Sequence, residues 1–100
     1  MRAQIAIDPE QVADFCRRRE VQELALFGSA LREDFGPESD VDVLVTFTPG
    51  ARVSLFDLVD MAEDLSRLFG RRVDLVPKSG LKPRIRRSVL QSSEVIYAAA

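Results

Sequence analysis

The run Val-Asp-Val-Leu-Val-Thr-Phe, residues 41–47, constrains the fold more than any other stretch. Valines spaced two apart cannot share one helix face, where neighbours fall three and four residues apart, but they line one face of a strand. Val41, Val43 and Val45 therefore share a face suited to helix packing, while Asp40, Asp42, Leu44 and Thr46 share the other. Pro49-Gly50 ends the run. An apolar strand face must be covered, so the remaining elements have to supply a layer above it.

They do so in alternation. Residues 8–20 open with Asp8 as a helix N-cap, Pro9 at the first helical position and Gln11 placed to complete a capping box. Val12, Phe15 and Cys16 give that helix one buried side. Residues 23–27 read as a short buried strand halted by Gly28, and residues 30–35 as a helical turn before Gly-Pro-Glu-Ser. Residues 54–70 form the clearest helix, with Ser54 and Asp57 as a capping box and Gly70 as its stop. Its expected stripe is Leu55, Leu58, Val59, Ala62, Leu65 and Phe69. A strand over 71–76 closed by Pro77, a helix over 84–92 carrying Ile85, Val89 and Leu90 inward, and an edge strand over 94–98 complete the chain. The order predicts an α/β (α+β) fold with a single mixed sheet.

One hundred residues with 46% hydrophobic and 30% charged side chains suit one globular domain, residues 1–100. Fourteen basic residues against sixteen acidic ones argue against direct nucleic-acid binding, but allow an anionic nucleotide whose charge a metal neutralises. Cys16 is the sole cysteine and histidine is absent, which excludes intramolecular disulfides, Ser-His-Asp triads and the usual zinc sites. There is no signal-peptide h-region and no apolar run approaching about eighteen residues, so a cytoplasmic chain without a membrane span is expected.

The polar face of 40–46 begins with two acids in line, Asp40 and Asp42. Like charges this close repel unless a cation lies between them, and Mg²⁺ is bound through carboxylates together with substrate phosphates. A third acid, Asp74, lies inside Arg-Val-Asp-Leu-Val with Val73 and Leu75 pointing the other way. If its strand neighbours 41–47, Asp74 converges on Asp40 and Asp42, and three aspartates could hold two Mg²⁺ ions about 3.5–4 Å apart. Asp74 could also orient or deprotonate an attacking hydroxyl. Gly28-Ser29, after a strand, lets backbone and hydroxyl approach a phosphate. Taken singly, each feature has a plainer reading: a solvated strand entrance, an edge residue, a turn. The cations Lys78, Lys82, Arg84, Arg86 and Arg87 read either as a solvated helix face or as a patch meeting triphosphate or an acidic partner. Arg17, Arg18 and Arg19 read as cations at the end of the first helix.

Together, Gly28-Ser29, Arg32, Asp40-x-Asp42 and the later Val-Asp74-Leu-Val resemble the minimal nucleotidyltransferases of the DNA polymerase β-like superfamily. The resemblance spans nearly the whole chain. It implies that Gly28, Ser29 and Arg32 contact the nucleotide, that Asp40, Asp42 and Asp74 bind metal and act catalytically, and that helices pack on one sheet face. Ala30 and Glu33 depart from the Gly-Ser-Arg-Ala-Arg-Gly often seen in the small members, removing one cation and adding one acid. Stand-alone proteins of this length also resemble antitoxins that transfer AMP from ATP to a tyrosine of a HEPN-domain ribonuclease toxin. The acceptor would then come from that partner or a second subunit, in a homo- or hetero-oligomer. A masking antitoxin without activity and an antibiotic adenylyltransferase are the alternatives.

Overall fold

The structure is a computed structural model and describes residues 7–28 and 40–99. Helix α1 (Pro9–Arg18) starts where the Asp8 carboxylate accepts from the backbone N–H of Glu10 at 3.0 Å and of Gln11 at 3.5 Å. It stops two residues short of the expected end, because Glu20 adopts φ 58 and turns the chain into β1 (Val21–Phe27). β1 begins earlier than its apolar run predicted, since Val21 already pairs with Phe47 across the sheet. β2 (Val41–Phe47) is followed by α2 (Leu55–Phe69), β3 (Val73–Pro77), a single 3₁₀ turn (Lys78–Gly80), α3 (Pro83–Ser92) and β4 (Glu94–Ala98).

The sheet order is β3-β2-β1-β4. β1 runs antiparallel to both β2 and β4, whereas β3 runs parallel to β2, so the sheet is mixed as expected. The parallel pair follows from the crossover: α2 carries the chain back over the sheet before β3 begins.

Val41, Val43 and Val45 meet Val12, Phe15 and Cys16 of α1 and Met61, Leu65 and Phe69 of α2 in the main core. Each fully buried side chain of this size contributes about 1.5–3 kcal/mol. α2 shows the expected reciprocal cap, Ser54 Oγ accepting from Asp57 N–H at 3.1 Å and Asp57 Oδ2 from Ser54 N–H at 2.9 Å. Its C-terminus ends at Gly70 with φ 67. The buried stripe, however, is rotated from the expected one. Met61 joins Leu65 and Phe69 in the core, while Leu55 and Val59 are 76% and 54% exposed. The first turn of α2 leaves Leu55 and Phe56 exposed, so apolar spacing alone misplaces the buried side.

On the opposite face, Ala25 and Leu44 pack with Leu81, joined by Phe27, Val76, Val89 and Leu90. α3 turns Val89 and Leu90 inward as predicted, but onto the second face of the sheet rather than the face that α1 and α2 cover, because Ala25 and Leu44 leave that side apolar as well. Ile85 stays 44% exposed. Arg19, read from sequence as a helix-end cation, instead bridges α1 to α2: its guanidinium donates to Asp60 and, at 2.8 Å, to Asp64.

Candidate active site

Three neighbouring strands present their ends at one place. Phe27 closes β1 and pairs with Asp42, and Asp42 in turn pairs with Asp74 in the parallel register of β2 and β3. Alternation aims Asp42 and Asp74 to the same side, away from the valine core, on strands about 4.8 Å apart. Val73 and Leu75 flank Asp74 and point to the opposite side, with Val73 buried in the core. The adjacency that the sequence left conditional is therefore met.

The start of β3 is held from behind. Val73 N–H donates to Ser66 Oγ at 2.9 Å, and that hydroxyl donates to Ala62 carbonyl at 2.7 Å. Val41 N–H donates to Arg72 carbonyl at 2.8 Å. These bonds fix the register one residue before each acid. Ser66 went unnoticed in the sequence, where a serine in a helix's last turn carries no distinctive signal.

Gly28 packs directly on Asp42. A Cβ placed on Gly28 would stand 3.2 Å from Asp42 Cγ and closer than 3.0 Å to Oδ2, a separation real Cβ atoms do not show. Its φ of 68 also lies in the left-handed region. Glycine is required here on both counts. Ser29 and Arg32, the other expected nucleotide contacts, lie outside the described residues, as do Ala30, Glu33 and the expected turn over 30–35.

Asp40 behaves differently from the other two acids. It stands one residue before β2, roughly half exposed, with Oδ1 4.0 Å from Nε of Arg72. Two residues along a strand span about 6.7 Å, further than the gap between paired residues on adjacent strands. Among the described residues no group of three acidic or thiol side chains lies close enough together to hold a metal ion. What the sheet brings together is the pair Asp42 and Asp74, with Asp40 alongside Arg72 at the strand entrances.

Asp42 and Asp74 open into a cavity of about 470 Å³. Its apolar walls are Phe27 and Val76 from the sheet and Leu81, Ile85 and Val89 from the segment after β3. Lys82 and Arg84 sit on its rim. The basic cluster thus has two exposed members lining the same cavity as the carboxylates. Arg86 and Arg87 point outward and are exposed. Among the described residues no helix is long and apolar enough to cross a membrane.

A mixed sheet with an Asp-x-Asp strand, a parallel acid-bearing neighbour and a glycine turn against the first strand defines a nucleotidyltransferase-type palm. In agreement, residues 9–96 match the nucleotidyltransferase domain family, and the chain belongs to it. It is 44% identical over 77 residues to the protein adenylyltransferase MntA of Thermococcus cleftensis, covering 77% of this chain and 74% of that one. A solved structure assigned to the minimal nucleotidyltransferases is 36% identical, with TM-score 0.69 and 85% of each chain covered. The fold is shared as well with a toxin–antitoxin crystal structure containing AMP-PNP, at TM-score 0.74 and 18% identity, over 93% of this chain and 75% of the other.

Proposed function

We propose that this chain is an antitoxin that transfers AMP from ATP, with Mg²⁺, to a tyrosine hydroxyl of a HEPN-type toxin. The observation that carries the reading is the register pair Asp42 and Asp74 beside Gly28. Relatives that carry the name protein adenylyltransferase, and a shared fold with a toxin–antitoxin assembly holding an ATP analogue, support the donor and the partner class.

The donor set suits a hard cation. Two carboxylates on adjacent strands repel unless a positive charge sits between them, and Mg²⁺ commonly takes one or two carboxylates and completes its shell with phosphate oxygens and water. Asp42 and Asp74 would hold it, with Asp40 the further donor at the entrance of β2. When bound, Mg²⁺ supplies charge neutralisation at the phosphate oxygens. Gly28 and, by the family resemblance, Ser29 would receive the triphosphate, with Arg32 adding a cation. The acceptor oxygen attacks the α-phosphorus in line, forming a new P–O bond as the bond to the bridging oxygen breaks. Pyrophosphate leaves with that electron pair, and Asp74 takes the acceptor's proton. The protein's contribution is positioning and electrostatics.

The test is Asp42→Asn with the co-expressed toxin. Transfer of labelled AMP should vanish while the thermal midpoint holds. Transfer at the wild-type rate would refute the mechanism. Loss of transfer with toxin neutralisation intact would favour a purely masking antitoxin.

A further inference from the structure

The chain from 78 to 93 contains Lys78, Lys82, Arg84, Arg86 and Arg87 and no acidic residue, leaving nine cations against sixteen acids elsewhere. This separation of charge is not needed for folding. α3 buries none of its ten residues, so its cations are presented to solvent rather than used in packing. They are also placed at the chemistry: Lys82 and Arg84 rim the cavity into which Asp42 and Asp74 open. The same cavity has apolar walls that include Phe27, Ile85 and Val89, with Ile85 partly exposed.

The two ends of this cavity differ. Gly28 lies against Asp42 from the β1 side, whereas Asp74 stands on β3, on the other side of β2. α3 crosses over the same face, with Val89 and Leu90 beside Ala25 and Phe27. Given the proposed transferase reading, on which this inference rests, the phosphates bind beside Gly28 and leave the Asp74 side for the acceptor. A group entering there passes two cations, slides an apolar body along Ile85 and Val89, and puts its tip at a carboxylate. We propose that the α3 cavity is the acceptor site, selecting a tyrosine carried in an acidic polypeptide segment. The ring fills the apolar walls, the phenol reaches Asp74, and flanking carboxylates of the segment meet Lys82 and Arg84. Charges on the rim of a site chiefly govern encounter and choice of partner.

Random copolymers of glutamate with tyrosine and of lysine with tyrosine separate the contributions. With ATP labelled at the α-phosphate and Mg²⁺, the wild-type chain should label the acidic copolymer at a KM about tenfold lower than the basic one. The double variant Lys82→Glu/Arg84→Glu should reverse that order. Both positions are exposed and an acid suits the first turn of α3, so the variant keeps its fold, checked by its circular dichroism spectrum. Equal labelling of the two copolymers, an unreversed preference, or no labelling of either while calorimetry shows ATP bound would overturn the acceptor assignment. A drop in ATP affinity in the variant would also overturn it, by giving these cations to the nucleotide. Absence of ATP binding by the wild-type chain is a separate outcome, which would remove the transferase reading itself.

Discussion

Replacing Gly28 with alanine probes the site at its tightest point. The residue sits at φ 68, where a Cβ costs about 1–2 kcal/mol against the neighbouring carbonyl. The new methyl would also stand 3.2 Å from Asp42 Cγ and closer still to Oδ2, so the carboxylate has to retreat by about 1 Å to regain ordinary contact. A side chain driven off its preferred rotamer costs a further 0.5–1.5 kcal/mol or so. The sum, about 2 kcal/mol, lowers the melting temperature of a hundred-residue domain by roughly 10 °C. The effect on transfer is larger, because a displacement of about 1 Å at a reacting centre can cost on the order of a hundredfold in rate. Gly70→Ala is the matched control: φ is 67, yet nothing lies within 4 Å of its Cβ, so it carries the backbone cost alone. Differential scanning calorimetry and a labelled-AMP assay should show both variants destabilised, but only Gly28→Ala inactive beyond its loss of stability. If the two variants lose activity equally, Gly28 does not position Asp42 and the reasoning fails.

Other consequences concern the scaffold. Leu65→Ala should cost about 2–5 kcal/mol by opening a cavity in the main core, whereas Leu55→Ala, at 76% exposed, should stay within about 0.5 kcal/mol; urea titration separates them. Hydrogen bonding from Arg19 holds the Asp64 carboxyl below its usual range, so the stability it contributes is complete above about pH 5. It is lost as pH falls through the depressed folded value. Arg19→Ala should therefore lower the midpoint by a few degrees at neutral pH, corresponding to about 1 kcal/mol, with the gap to wild type closing in acid. Equal gaps at pH 7 and pH 2 would contradict that pairing. Burial raises the Cys16 thiol to about 12, so iodoacetamide at pH 8 should label the unfolded chain and spare the native one.

Element types were legible because local chemistry dictates them. Valines two apart, a serine–aspartate cap and a glycine stop each act within a few residues, and β2 and α2 appear where those signals stand. The even spacing of Asp40, Asp42 and Leu44 likewise places them on one side of the strand before any partner is known. Less legible was the true buried side of α2, where Met61 replaces Leu55 and Val59, because burial depends on where the helix crosses the sheet. The bridge from Arg19 to Asp60 and Asp64 and the support of β3 by Ser66 were hidden for the same reason: both link residues distant in the chain or in different elements.

The chain's own order of residues determined which strands would carry acids and which face of each strand they would occupy, since strand alternation is a property of the backbone. Only the tertiary structure decided that β3 pairs with β2 in parallel, aligning Asp74 with Asp42 while Asp40 stands beside Arg72. It also decided that a basic helix closes over the same cavity. Those outcomes depend on register and packing between distant segments, and a one-residue slip would send Asp74 into the core.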